Sequence, residues 1–176
     1  KKLKGKKLLE PKLDGVRCVT VVDYQQKTVT QYTRNGKVLE NFGHITKALE
    51  GYMEEIGRSY VLDGEVVSNS FQDLMKQVHR KDNVSANDAV LHLFDCSPLE
   101  DFLNGGWDKP QSIRSLFTKH WVQENADKLK HVQALEWEDI DFDTPEGHSR
   151  YVELNKAAVD GGYEGVMIKD PDAPYQ

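Results

Sequence analysis

The chain has 176 residues, 38% of them hydrophobic and 30% charged, with a net charge of −6. That is enough for one domain with a substantial core, and the apolar content excludes a long disordered tail. No apolar run approaches the roughly 20 residues that span a bilayer, and none is long enough for a signal-peptide core, so a cytoplasmic protein without membrane contact is expected.

Cys18 and Cys96 lie in strand-like apolar runs and read as small buried thiols of a reducing compartment, not as a disulfide framework or a metal site. Negative net charge argues on its face against polyanion binding, but it governs solubility and steering, not the character of one face. Lys1, Lys2, Lys4, Lys6 and Lys7 make a basic start and residues 136–143 are acidic, an asymmetry that permits a basic face for nucleic acid.

In chain order, Leu8-Leu9, the Asp14-Gly15 pair and the β-branched run 18–22 give a strand–turn–strand signal. Glu10, Lys12 and Arg17 then converge on a small volume beside the turn. Residues 19–22 and 28–32 read as strands joined by a polar connection, and Arg34-Asn35-Gly36 supplies a second turn. Ile45, Ala48, Leu49, Tyr52, Met53 and Ile56 recur at helical spacing and predict a helix ending near Gly57. Residues 60–67 form a strand with an acidic centre, 71–78 a short helix, and 79–88 a charged, turn-rich segment. In the strand 89–94, Val90, His92 and Phe94 share one face and Leu91 and Leu93 the other. Ser112 is the expected N-cap of a helix through Phe117 and Val122, and 132–137 the next strand. Thr144-Pro145 starts a helix that stops at Gly161-Gly162, and 164–169 is a last strand closed by Asp170-Pro171. Hairpins followed by interspersed helices indicate an α+β domain built on antiparallel sheets.

Three segments put charge on otherwise apolar strands: Lys12-Leu13-Asp14-Gly15-Val16-Arg17, Leu62-Asp63-Gly64-Glu65-Val66-Val67 and Glu164-Gly165-Val166-Met167-Ile168-Lys169. A charge inside a buried strand costs several kcal/mol unless it is paired or holds a ligand. One such strand is explained by an edge position. Three are better explained by a shared polar cleft, in which the charges neutralise one another or hold a metal and a phosphate.

These residues resemble the covalent nucleotidyltransferase superfamily of ATP-dependent DNA ligases, RNA ligases and messenger-RNA capping enzymes. Lys12 to Arg17 matches its K-x-D-G-x-R motif, and Arg34-Asn35-Gly36 the arginine motif that follows. Asp63-Gly64-Glu65 matches D-G-E, Leu93-Phe94-Asp95 the aromatic-acidic element, and residues 164–169 E-G-x-x-x-K. Phe71-Gln72-Asp73 is similar to ATP-dependent DNA ligases of small viral and phage type.

The resemblance implies an adenylation (nucleotidyltransferase) fold, antiparallel sheets flanked by helices around a nucleotide cleft, with ATP as AMP donor and Mg2+ as cofactor. Lys12 would be the nucleophile that becomes lysyl-AMP, and Glu10 would lie against the adenine edge. Arg17 would face phosphate and Arg34 the 5′-phosphate of nicked duplex DNA. Glu65 would serve the ribose or the metal, Phe94 would stack on adenine, Glu164 would hold Mg2+ and Lys169 would meet phosphate. Asp14 serves either the turn or the metal. The amine must attack uncharged, and a nearby cation or desolvation favours that form.

The family pattern continues past Glu164 with a lysine-rich strand and an OB-fold domain. Residues 1–176 are therefore expected to be an adenylation domain incomplete at its C-terminal end, from a monomeric enzyme of DNA replication, repair or recombination. An RNA ligase or capping guanylyltransferase uses the same lysine chemistry, and a nucleic-acid-binding relative without turnover is the alternative from another class.

Overall fold

The computed structural model of the protein describes residues 3–68, 88–125, 129–161 and 163–174. The helix expected over 71–78, the Phe71-Gln72-Asp73 detail and the charged segment 79–82, weighed as a DNA contact, lie outside them.

Among the described residues the strands form two sheets. In the smaller, β1 (Lys6–Pro11) lies between β8 (Glu138–Asp141) and β9 (Val166–Lys169), antiparallel to both. The larger runs in the order β4 (Val38–Leu39), β3 (Thr28–Tyr32), β2 (Val16–Asp23), β5 (Tyr60–Val67), β6 (Val90–Pro98), β7 (Val132–Ala134). It is antiparallel except between β6 and β7, which run parallel. The strand–turn–strand reading at the start is right along the chain, but β1 and β2 do not pair with each other. Their hydrogen-bonding edges are taken by β8 and β9 and by β3 and β5, so the turn carries the chain from one sheet to the other.

The main core lies under the large sheet, where Cys18, Val22, Leu62 and Leu91 meet Ile45 and Leu49 of α1 (Gly43–Gly51), Met53 of α2 (Met53–Ile56), and Trp121. A second cluster of Leu9, Ile140 and Phe142 packs under Tyr151 and Leu154. Both cysteines are free and buried, and burial pushes the Cys18 thiol up to about 12, which leaves it unreactive.

The helix expected over 45–56 begins earlier and breaks at Tyr52, just past Gly51, a residue costly to hold in a helix. It ends at Gly57 in the left-handed region, φ 68°, whose N–H donates to the Met53 carbonyl. A short helix, α3 (Leu99–Leu103), follows β6 without having been anticipated. The next, α4 (Gln111–Asn125), starts one residue before the expected cap. Ser112 therefore sits in its first turn, and its N–H donates to the Pro171 carbonyl at 2.8 Å. The run 132–137 is not one strand: the ladder with β6 ends at Ala134, the Leu135 N–H still donates to the Leu93 carbonyl at 2.7 Å, and the chain then crosses to the small sheet as β8. The start of α5 (Pro145–Asp160) is as read, with Pro145 in the first turn and the Thr144 hydroxyl accepting from Gly147 N–H at 3.0 Å. No described helix is long and apolar enough to cross a membrane.

Candidate active site

The two sheets meet at a cleft of about 350 Å³ lined by Glu10, Lys12, Arg17, Glu65, Phe94 and Lys169. Its large-sheet wall is fixed by backbone contact. A Cβ on Gly15 would lie 2.1 Å from the Val66 carbonyl oxygen, and one on Gly64 2.3 Å from that of His92. Both glycines of the Asp-Gly pairs are thus demanded by close strand approach.

Beside Gly64 the register slips. Asp63 pairs with Asp95 but Gly64 pairs with Leu93, so Phe94 has no partner on β5. A bulge of this kind re-aims the extra side chain. The Phe94 ring lies in the cleft with Lys169 Nζ 4.4 Å and Arg17 Cζ 5.4 Å from its centroid, cations over a ring face.

The three charged segments do neutralise one another. Arg17 meets Asp63 in a two-pronged pair, Nε to Oδ1 at 3.1 Å and Nη2 to Oδ2 at 2.5 Å. Lys169 Nζ lies 2.8 Å from Glu10 Oε1, and Lys12 Nζ 3.1 Å from Glu164 Oε2. These pairs differ in depth: the Asp63 and Glu10 side chains are 2% exposed, those of Lys12 and Glu164 54% and 57%. The Lys12 pair is held by main chain, since Lys12 N–H donates to the Gly165 carbonyl at 2.9 Å.

Glu10 is only half satisfied. Its Oε2 is buried without a hydrogen-bond partner, and burial pushes the carboxyl above its usual range while Lys169 opposes the rise. A buried acceptor lining a cleft and lacking a donor is a natural seat for an N–H or O–H of a ligand. Glu65, paired across the ladders with Arg17 and His92, is raised chiefly by burial, against the pull of Arg17 and the Gly15 N–H.

Two expected residues stand outside the lining. Glu164 reaches the cleft only at its rim, through Lys12. Arg34 is exposed in the β3–β4 turn, which is closed by Gly36 at φ 86° and by its N–H to the Thr33 carbonyl at 3.0 Å. Tyr32, two residues before Arg34, pairs with Val19, two residues after Arg17.

Among the described residues no group of three or more His, Cys, Asp or Glu forms a metal-holding cluster. Glu65 and Glu164 are oxygen donors of the kind Mg2+ takes when only one or two carboxylates hold it and phosphates and water complete the shell. Asp95, quoted from the sequence only as the acidic member of the Leu93-Phe94-Asp95 element, is also in the lining, as is Arg114, which was not picked out. The signal was present but phase-dependent: Arg114 falls on the buried stripe of α4 with Gln111, Ser115, Thr118 and Val122, where a charge needs a partner.

A family model described as the ATP dependent DNA ligase domain matches residues 1–176. Among curated proteins, the DNA ligase of Halobacterium salinarum is 30% identical over 181 residues, covering 95% of this chain and 29% of that protein. The DNA ligase of Archaeoglobus fulgidus is 31% identical over 182 residues, again 95% of this chain and 29% of its own. The chain thus spans less than a third of the length of these relatives. Among solved structures, one named Pmar-Lig_PreS3 superposes with a TM-score of 0.91 at 55% identity, over 98% of this chain and 40% of its own. The ATP-dependent DNA ligase from bacteriophage T7 in complex with ATP superposes with a TM-score of 0.72 over 98% of this chain and 59% of its own, a likeness of fold at 20% identity.

Proposed function

The chain belongs to the ATP-dependent DNA ligase domain family, and we propose that it is the adenylate-forming part of an enzyme that seals nicks in duplex DNA. One observation carries the reading: a solvent-reachable lysine, Lys12, stands at the mouth of a cleft whose inner end offers an aromatic ring, Phe94, and a half-satisfied acceptor, Glu10. That arrangement fits a nucleotide with its base inside and its phosphates at the rim.

In the proposed reaction the uncharged Lys12 Nζ attacks the α-phosphorus of ATP. The new P–N bond forms as the bond to the bridging oxygen of pyrophosphate breaks, and the proton lost by the amine passes to solvent. AMP is then transferred to the 5′-phosphate at a nick, and the adjacent 3′-hydroxyl displaces it. Phe94 stacks on the base and Glu10 accepts from its exocyclic amine. Arg17, held by Asp63, presents positive charge toward phosphate, Lys169 stays at the base end with Glu10 and Phe94, and Arg34 takes the 5′-phosphate of the nicked strand. Glu65 and Glu164 would hold Mg2+, which when bound supplies neutralising charge to the phosphates.

The test incubates the full-length protein with α-labelled ATP or GTP, Mg2+, and nicked DNA or nicked RNA. Covalent label from ATP that survives alkali but is released by acid, as a P–N bond requires, and that is lost in Lys12→Met, with transfer to nicked DNA, is the expected result. Label from GTP but not ATP would overturn it in favour of capping chemistry, and sealing of nicked RNA alone in favour of an RNA ligase.

A further inference from the structure

Arg114 is 1% exposed, yet it is part of the cleft wall. Its guanidinium donates to separate pieces of chain. Nε lies 3.1 Å from each carboxylate oxygen of Asp95. Nη1 donates to the carbonyl oxygens of Lys109 at 2.5 Å and Ala173 at 2.9 Å, and Nη2 to Gln111 Oε1 at 2.9 Å. Asp95 directly follows Phe94, the bulged residue, and also accepts from the Cys96 N–H at 3.0 Å. Ala173 belongs to the segment 170–174 that follows Lys169, of which Asp170, Ala173 and Pro174 line the cleft.

Neutralising Asp95 needs only one edge of the guanidinium. The bonds to the Lys109 and Ala173 carbonyls pair no charge; what they fix is position, because the donors of a guanidinium lie in one rigid plane. One side chain therefore sets the strand that carries Phe94, the start of α4 and the segment beyond Lys169 in a single frame. The Ser112 N–H to the Pro171 carbonyl, 2.8 Å, ties the same segment to the same helix.

We infer that Arg114 is a positioning residue of this cleft: through Asp95 it holds Phe94 at the bulge, and through the Ala173 carbonyl it holds the segment 170–174 as a cleft wall. It acts on the nucleotide only through these groups, and its effect on nucleotide use rests on the ATP reading given above.

The test uses two variants of the full-length protein. Asp95→Leu/Arg114→Met removes both buried charges, a replacement that tends to preserve folding. Arg114→Lys keeps the charge but offers a point donor in place of the fork. Both should melt close to the wild type. Both should raise the ATP concentration needed for half-maximal Lys12 labelling by up to about 10-fold, the worth of a loosened stacking contact, with the rate at saturating ATP little changed. Hydrogen exchange at the Ala173 amide, which donates to the Asp170 carbonyl at 3.1 Å, should quicken while β2 and β5 stay protected. A double variant with wild-type ATP dependence and wild-type exchange at Ala173 would reduce Arg114 to a stabilising pair and overturn the inference. Failure of the wild type to label at all would overturn the ATP reading instead, and the exchange measurement would still judge whether Arg114 holds the segment.

Discussion

The two walls of the cleft are held by different physics. On the large sheet, Arg17, Asp63, Phe94 and Asp95 sit in a ladder where two glycines leave no room for a side chain, and the Arg17–Asp63 and Arg114–Asp95 carboxylates are almost fully buried. On the small-sheet side, Glu10 is buried against Lys169 but keeps one oxygen unpartnered, and Lys12 and Glu164 face each other half in solvent. A close-packed, fully paired wall is preorganised and resists displacement. An exposed ion pair is worth little and is readily exchanged for another partner. On the proposed reading the difference divides the tasks: the first wall would fix where a base and its phosphates lie, while the second would carry the groups that change partner during chemistry.

Substitutions can break that contrast, and the largest effect is expected at the tightest point. Gly64→Ala places a Cβ against the His92 carbonyl and must part β5 from β6, with an expected loss of about 3 kcal/mol or more in a urea melt. Arg17→Ala removes the main charge partner of a carboxylate buried to 2%, for an expected loss of about 3 kcal/mol. The matching change across the cleft, Glu164→Ala, breaks an ion pair of similar length but more than half exposed, and should alter stability by less than about 0.5 kcal/mol. Equal losses in the last two would mean that the walls are not held differently. In labelling assays both variants should be impaired, so the asymmetry belongs to stability and not to function.

How much of this was legible in the sequence follows the same division. The charged strands, the two Asp-Gly pairs and the mutual neutralisation of three segments could be read in advance, because a charge on an apolar strand has few inexpensive explanations. The start of α5 was legible for a similar reason, since Thr144 and Pro145 have strong local preferences. What could not be read is non-local. Residues 132–137 look like one strand because nothing in their composition says that the strand ends at Ala134. The break in the single helix expected over 45–56 is the exception: it is local, at Gly51 and Tyr52, and was hidden by an unbroken apolar period. Ser112 has the composition of a cap, but its N–H is taken by Pro171, some sixty residues on. Arg114 was missed because its partners, Asp95 and Ala173, are brought to it only by the packing of α4 on β6 and by the path of the chain after β9.

One expected effect is a gain. The Glu65 carboxyl is pushed above its usual range, chiefly by burial, with Arg17 and the Gly15 N–H pulling the other way and Asp63 and Asp14 adding to the rise. A group that holds its proton more tightly when folded makes stability fall as pH rises from its unfolded value, near 4.5, through its folded one, and the loss persists at neutral pH. Glu65→Gln removes the charge with little change of shape, so at pH 7 it should melt a few degrees above the wild type, since about 1 kcal/mol moves Tm by about 2–4 °C in a domain of this size. The gain should shrink as pH is lowered toward 4.5 and vanish below it, where the wild-type carboxyl is protonated in both states. A Gln variant that melts below the wild type by the same margin at both pH values would mean that the carboxylate's hydrogen bonds outweigh its burial. If the variant is both more stable and unable to form the lysine adenylate, the carboxylate that weakens the fold at neutral pH is the same one the ligand requires, which identifies Glu65 as the point where the rigid wall gives up stability for the nucleotide.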